Sequence, residues 1–385
     1  MKGFFLFLIL SLASCTSFKL KDLAVSKSEK PQALIQGLGA VEIERSFENN
    51  RGASLGSFAG LVQVSPSDFL VGTVGGSFGR FDTQNGSFKW KKSYKIGVAS
   101  RPVVEGDRVF VGALDGFVYC YSLGKGKELW RKKLSAESLG NLVFGNGRLF
   151  VATADNVLWS LNAENGQEYW ALRRPSPAAS FYWSLRGNTA GVMSPDGSKL
   201  YLGFSDGVLL ALNSLTGETL WERSFQRKGR FQDVDTEPFL SPDASTLYVT
   251  LPDFSIQVLK ASDGSSLDSF PDASGFLPLI DYKEGTITYS TQSGSVRKYE
   301  LSSKKLLWEL SLDQKGIAGD IVAIKNGVGM FLSTRFGLHL IDLKKGILIE
   351  EKYLGEGFIA RPVSDGQRIL ILSGRGRMVF LRFKS

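Results

Sequence analysis

The chain carries few side chains able to do covalent or metal chemistry. Its 385 residues include one histidine, His339, and two cysteines, Cys15 and Cys120. A single imidazole cannot build a histidine metal cluster, and it leaves one candidate general base of that type. Two cysteines so far apart exclude a zinc ribbon, a CxxC redox pair and a disulfide framework. Cys120 sits in the run Phe117-Val118-Tyr119-Cys120-Tyr121, where a buried structural thiol is expected. His339 sits in Leu338-His339-Leu340-Ile341 and is read as structural too. No catalytic residue, metal site or cofactor site is expected.

The net charge of +8 would invite nucleic acid if the chain stayed in the cytoplasm. The N-terminus argues otherwise. Met1-Lys2 supplies a positive start, and Phe4 to Leu12 is an almost wholly apolar run of nine residues. That is far short of the ~20 residues a helix needs to span a bilayer. It ends at Leu12-Ala13-Ser14-Cys15, which resembles the lipobox of bacterial lipoproteins, where the cysteine thiol carries lipid. The expected organisation is a lipoprotein signal peptide at 1–14, a lipidated flexible tether at 15–37 and a folded body at 38–385. Thr16 after the cysteine, with no Asp there, favours the outer membrane, with the body anchored on its periplasmic face. Export removes nucleic acid from the expected partners. The positive charge is left to meet acidic surfaces or anionic head groups, an attraction that salt weakens.

The elements that must position any binding residues are repeats. Aligned on tryptophan, the chain shows Gly86 with Trp90, Gly126 with Trp130, Gly166 with Trp170 and Gly217 with Trp221. Degenerate copies follow as Gly264 with Asp268, Lys304 with Trp308, and Gly346 with Glu350. Successive steps are 40, 40, 51, 47, 40 and 42 residues. Each unit reads as four short strands; in the second, Asp115-Gly116 joins two β-branched and aromatic runs, a strong hairpin signal. Four-stranded units of ~40 residues are blades of a propeller. The expected fold is therefore all-β, an eight-bladed β-propeller of four-stranded antiparallel blades. The last copy, from Arg375-Gly376, stops before any tryptophan. The alternating stretch Ala40 to Phe47 is expected to complete that blade and close the ring. The repeated tryptophans are expected to pack between blades.

Where the repeat is broken, a binding surface is expected. Antiparallel strands bring every connection from an outer strand to the next inner strand onto one face. From Trp90 to Pro102 is 12 residues, but from Trp170 to Val192 is 22 and from Trp221 to Pro238 is 17. Long loops on a rigid scaffold are where function concentrates. The first insertion, residues 173–191, sets Phe181, Tyr182, Trp183 and Leu185 beside Arg173, Arg174 and Arg186. Aromatic residues with arginine are the composition of interface hot spots. The second, residues 223–238, carries the basic run Arg227-Lys228-Gly229-Arg230 and then Asp233-Val234-Asp235.

Two segments in these loops resemble a known family. Ser184-Leu185-Arg186-Gly187 with Thr189-Ala190, and Asp233-Val234-Asp235-Thr236 with Pro238, are similar to the matching loops of the BamB family. These are lipoprotein subunits of the outer-membrane β-barrel assembly (BAM) machinery. The closing stretch Gly357 to Val363 is similar to that family's last blade. The resemblance implies a non-enzymatic scaffold that docks on the periplasmic POTRA domains of the insertase, BamA, and aids insertion of β-barrel proteins. Nascent outer-membrane barrel proteins are a further expected contact, met at exposed blade-edge strands by β-augmentation. Carried over by position, the partner-binding residues are Leu185, Arg186, Asp233 and Asp235, with Trp183 in place of a smaller aliphatic residue. Two roles are open to the aspartates, contact with the partner or holding the Arg186 loop in shape. The alternatives are a periplasmic propeller with another partner and a quinoprotein dehydrogenase using pyrroloquinoline quinone. The latter family commonly has vicinal cysteines and extra segments that this chain lacks.

Overall fold

The computed structural model describes residues 38–46 (backbone only), 60–73, 75–98, 100–138, 140–175, 191–225, 234, 236–251, 255–324, 327–354, 361–364, 368–373 and 377–383. Residues 33–385 form one compact unit; the other unit, residues 1–32, lies outside the described residues. The described strands make eight four-stranded sheets, and every pairing within them is antiparallel. Blade 1 runs from Gly60 to Ser93, blade 2 from Val103 to Lys133, blade 3 from Val143 to Arg173 and blade 4 from Gly191 to Ser224. Blade 5 runs from Phe239 to Pro271, blade 6 from Leu279 to Ser311 and blade 7 from Val322 to Tyr353. Blade 8 takes three strands from Val363 to Phe383, and its fourth is Leu38–Ser46, hydrogen-bonded along Arg377–Phe383. The N-terminal strand thus closes the ring, as its alternation implied.

Burial follows from position in the blade. The second and third strands are covered on both faces, so they read as continuous apolar runs such as Arg148–Thr153 and Val208–Asn213. Outer strands such as Glu128–Lys133 and Thr219–Ser224 alternate instead, with one face toward the next blade. The apolar clusters straddle neighbouring blades. Phe110, Val118 and Cys120 of blade 2 pack on Leu149, Val151 and Leu161 of blade 3. Leu61, Phe69 and Phe81 of blade 1 pack on Leu370, Met378 and Phe380 of blade 8, which seals the circle. Each such side chain contributes ~1.5–3 kcal/mol when fully buried, so the core is distributed around the seams.

The tryptophans latch these seams. Nε1 of Trp90, Trp130, Trp170, Trp221 and Trp308 donates to the carbonyl of Leu123, Ala163, Leu215, Ala261 and Leu343, at 2.8 to 3.1 Å, each in the following blade. The ring lies flat against a glycine of that same turn. At Gly126, with φ of 63°, an added Cβ would sit 2.5 Å from the Trp90 ring. Glycine is therefore required twice there, for backbone handedness and for room.

Candidate docking face

Both enlarged connections are footed on blade 4. In the ordinary connection from blade 1 to blade 2, Tyr94 N–H donates to Gly76 and Val98 N–H to Thr73. The same pair of bonds recurs as Leu134 to Gly116 and Ser138 to Ala113. Entering blade 5, the equivalents are Phe225 N–H to Gly207 at 2.8 Å and Val234 N–H to Phe204 at 3.0 Å. The second bond follows the first by four residues in the ordinary connections and by nine here, so the extra chain lies between Phe225 and Val234. Val234 itself is fully buried in the seam of blades 4 and 5, among Tyr201, Leu247 and Val249.

The other enlarged connection leaves blade 3 at Arg174, whose N–H donates to Asn156 at 3.0 Å. Its guanidinium turns onto blade 4, with Nε 2.8 Å from Asp206 Oδ2 and Nη1 3.1 Å from Glu222 Oε2. Burial opposes that charge, yet Asp206 and then Glu222 hold the guanidinium above its ordinary range. Asp206 belongs to the turn 204–207, the same turn that fixes Phe225 and Val234. The stems of the two enlarged connections are therefore gathered around one turn on one face of the ring.

Trp183, Leu185, Arg186, Asp233 and Asp235 lie outside the described residues, as does Cys15. Arg173 and Arg174, which the sequence groups with Arg186, are engaged within the ring. Arg173 pairs with Asp155 at 3.2 Å. Burial alone would raise the Asp155 carboxyl, but the Thr153 and Ser135 hydroxyls and Arg173 hold it below its usual range.

A second feature, at the mouth of the central channel, was missed by aligning on tryptophan. Arg101 of blade 2 reaches Glu237 at the entry to blade 5, Nη2 to Oε2 at 2.8 Å. Asn141 of blade 3 donates from Nδ2 to that same oxygen at 3.3 Å, and its Oδ1 accepts from Arg101 N–H at 3.0 Å. Blades 2 and 5 are not neighbours, so this contact crosses the middle of the ring. Asp320, at the matching position of blade 7, accepts from Leu277 N–H at 3.0 Å. Burial pushes its carboxyl above the ordinary range, against the pull of the Leu277 amide and of Arg361 and Arg101. The signal available in the sequence was the residue preceding each inner-strand proline, as in Arg101-Pro102, Glu237-Pro238 and Arg361-Pro362.

The chain's imidazole and described thiol are structural. His339 is fully buried, stacked on Phe331, with Nε2 2.8 Å from Ser333 Oγ and Nδ1 3.0 Å from Glu351 Oε1. The order Ser-His-Glu has the outline of an activated nucleophile. Ser333, however, is fully buried as well. It stands where Thr73, Thr291 and Ser373 cap the same turn, accepting from Ser77, Ser295 and Arg377 N–H. Its hydroxyl serves the turn. Burial drives the His339 pKa down to about 4, against the pull of Glu351. Burial likewise raises the Cys120 thiol to about 12. Among the described residues no group of three or more His, Cys, Asp or Glu could hold a metal ion.

A family model described as outer membrane protein assembly factor BamB matches residues 74–251. The outer membrane protein assembly factor BamB of Legionella pneumophila (strain Paris) is 24% identical over 186 residues, which is 46% of this chain and 46% of that protein. The chain is similar to BamB. The matched stretch contains both enlarged connections and the turn 204–207. The alignment spans just under half the length of the Legionella BamB. Among solved structures, BamB from Moraxella catarrhalis superposes with a TM-score of 0.72 at 16% identity, over 90% of this chain and 100% of that one. Quinohemoprotein alcohol dehydrogenase from Comamonas testosteroni superposes with a TM-score of 0.69 at 14% identity, over 90% of this chain and 76% of that one. At such identities these likenesses speak for the propeller fold.

Proposed function

We propose that this chain is a non-enzymatic scaffold lipoprotein of the outer-membrane β-barrel assembly machinery, docking on the periplasmic POTRA domains of the BamA insertase. The observation that carries this reading is the shared footing of the two enlarged connections on the turn 204–207. Stems held to one turn of a rigid ring keep the ends of both connections close together, which lowers the ordering cost of association. Leu185 is the apolar anchor, with Trp183 beside it; Arg186 is the fork-shaped cation, and Asp233 and Asp235 are the neighbouring carboxylates. Residues 1–14 act as the signal peptide, Cys15 carries the lipid and 15–37 tether the ring to the outer membrane. The likeness of residues 74–251 to BamB supports the assignment.

A pull-down from detergent-solubilised envelopes tests it, comparing the natural chain with Leu185→Ala plus Arg186→Ala. The natural chain is expected to retain the insertase and the folded double variant to lose it. Equal retention by both would refute the docking residues.

A further inference from the structure

We propose that Arg101 is a positioning residue for the docking face. It braces Glu237 across the channel and so sets where the chain re-enters the ring between blades 4 and 5. This inference rests on the docking reading above for its consequence, though not for its geometry.

Glu237 is held by two blades that are not its neighbours. Its Oε2 accepts from Arg101 Nη2 of blade 2 at 2.8 Å and from Asn141 Nδ2 of blade 3 at 3.3 Å. The Arg101 amide closes the triangle on Asn141 Oδ1 at 3.0 Å. The bonds form a closed cycle of three residues from three blades, two side-chain bonds and one from the Arg101 backbone amide, which holds the carboxylate from two sides at once. Three residues before Glu237 comes Val234, the point at which the extra chain rejoins the ordinary path. Between them, Thr236 Oγ1 donates to Gly275 at 3.2 Å, in the connection toward blade 6. Val234, Thr236 and Glu237 are thus pinned in turn at a seam, at the neighbouring connection and at the axis.

Magnitude separates positioning from stability. The Arg101 and Glu237 side chains are 36% and 27% exposed, and ion pairs so open to water contribute at most ~1 kcal/mol. The seams carry the fold through dozens of buried apolar side chains. Removing the brace is therefore expected to leave the propeller intact and to release only the segment it holds. The wider axial ring supports this view. Leu277 N–H to Asp320 Oδ1 joins blades 6 and 7 by the same backbone-to-side-chain link that joins Arg101 N–H to Asn141 in blades 2 and 3. At two places, entry to one blade is registered by the side chain of the next; at Glu237 a third blade is drawn in from across the channel.

The test uses the full mature chain with Arg101→Leu, and with the charge swap Arg101→Glu plus Glu237→Arg. Two readouts are taken: amide hydrogen exchange, and retention on an immobilised soluble POTRA segment of the BamA insertase. For Arg101→Leu, the Val234 amide is expected to exchange at least about tenfold faster while strand amides of Arg108–Gly112 stay unchanged, and POTRA affinity to fall about tenfold. The swap restores both. Unchanged Val234 exchange in Arg101→Leu overturns the proposal, as does a swap that recovers neither readout. If the natural chain itself fails to bind the POTRA segment, the docking reading falls and the exchange data alone decide the brace.

Discussion

Asp268 of blade 5 forms an ion pair with Lys304 of blade 6 at the place where other seams set a tryptophan on a glycine. Trp90 meets Gly126, Trp130 meets Gly166, Trp170 meets Gly217, Trp221 meets Gly264 and Trp308 meets Gly346. Between blades 5 and 6 both partners are exchanged together. Lys304 keeps the left-handed backbone of the glycines it replaces, with φ of 54°, so the turn survives and only the chemistry of the contact differs.

The two kinds of seam are expected to differ in energy. Asp268 and Lys304 are 29% and 48% exposed, and such pairs contribute ~0–1 kcal/mol. Losing a buried tryptophan costs ~3–5 kcal/mol. Urea denaturation followed by circular dichroism should show Asp268→Ala losing less than ~1 kcal/mol and Trp130→Ala several times more. Comparable losses would mean that the ion pair is as strong a latch as the indole.

Glycines in left-handed turns should separate into two groups. At Gly166, with φ of 73°, an added Cβ meets the Trp130 ring at 2.7 Å, whereas at Gly106, with φ of 56°, it meets nothing within 4 Å. Gly106→Ala should cost only the backbone penalty of ~1–2 kcal/mol. Gly166→Ala should cost more, because the indole must also move, and its Nε1 bond to Ala163 with it. Equal losses in a thermal melt would show that the indole yields freely.

Acid should weaken the seam of blades 6 and 7 through His339. Its folded pKa of about 4 lies below the unfolded value of 6.5. Between those values the unfolded chain binds the extra proton, so stability is complete above pH 6.5 and falls as pH drops toward 4. Protonated imidazole would face Lys315 as well as Glu351, which the lysine already engages at 2.6 and 2.8 Å. The loss is about 3 kcal/mol for a shift of this size. Urea midpoints at pH 7 and pH 4.5 should differ less in His339→Gln than in the natural chain. Parallel pH profiles would place the acid sensitivity elsewhere.

Cys120 should be silent until the ring opens. It is fully buried in the seam of blades 2 and 3, and its thiol sits near 12. At pH 8 only about one thiol in ten thousand is ionised. In a Cys15→Ser chain, reaction with a disulfide reagent should track global unfolding in urea. Rapid reaction of the native chain would contradict that burial.

Much of the ring was legible because each unit repeats its own local chemistry. The Gly-to-Trp spacing, the Asp-Gly turns and the spare alternating stretch Ala40 to Phe47 each specify a strand or turn from nearby residues. The axial network was not legible, because Arg101, Asn141 and Glu237 come together only when non-neighbouring blades share one centre. Arg174 misled for a related reason. Beside Arg186 in sequence it reads as part of a cationic patch, yet Asp206 and Glu222 from the next blade claim it.

The most direct measurement of the docking account is photo-crosslinking in intact cells. A photoreactive residue replaces Leu185 in one chain and Ser198 in another. Ser198 lies in the turn between the first and second strands of blade 4, on the opposite face from the enlarged connections. Docking through the enlarged connections should give a covalent adduct with the insertase from position 185 and none from position 198. Adducts from position 198 alone would contradict it.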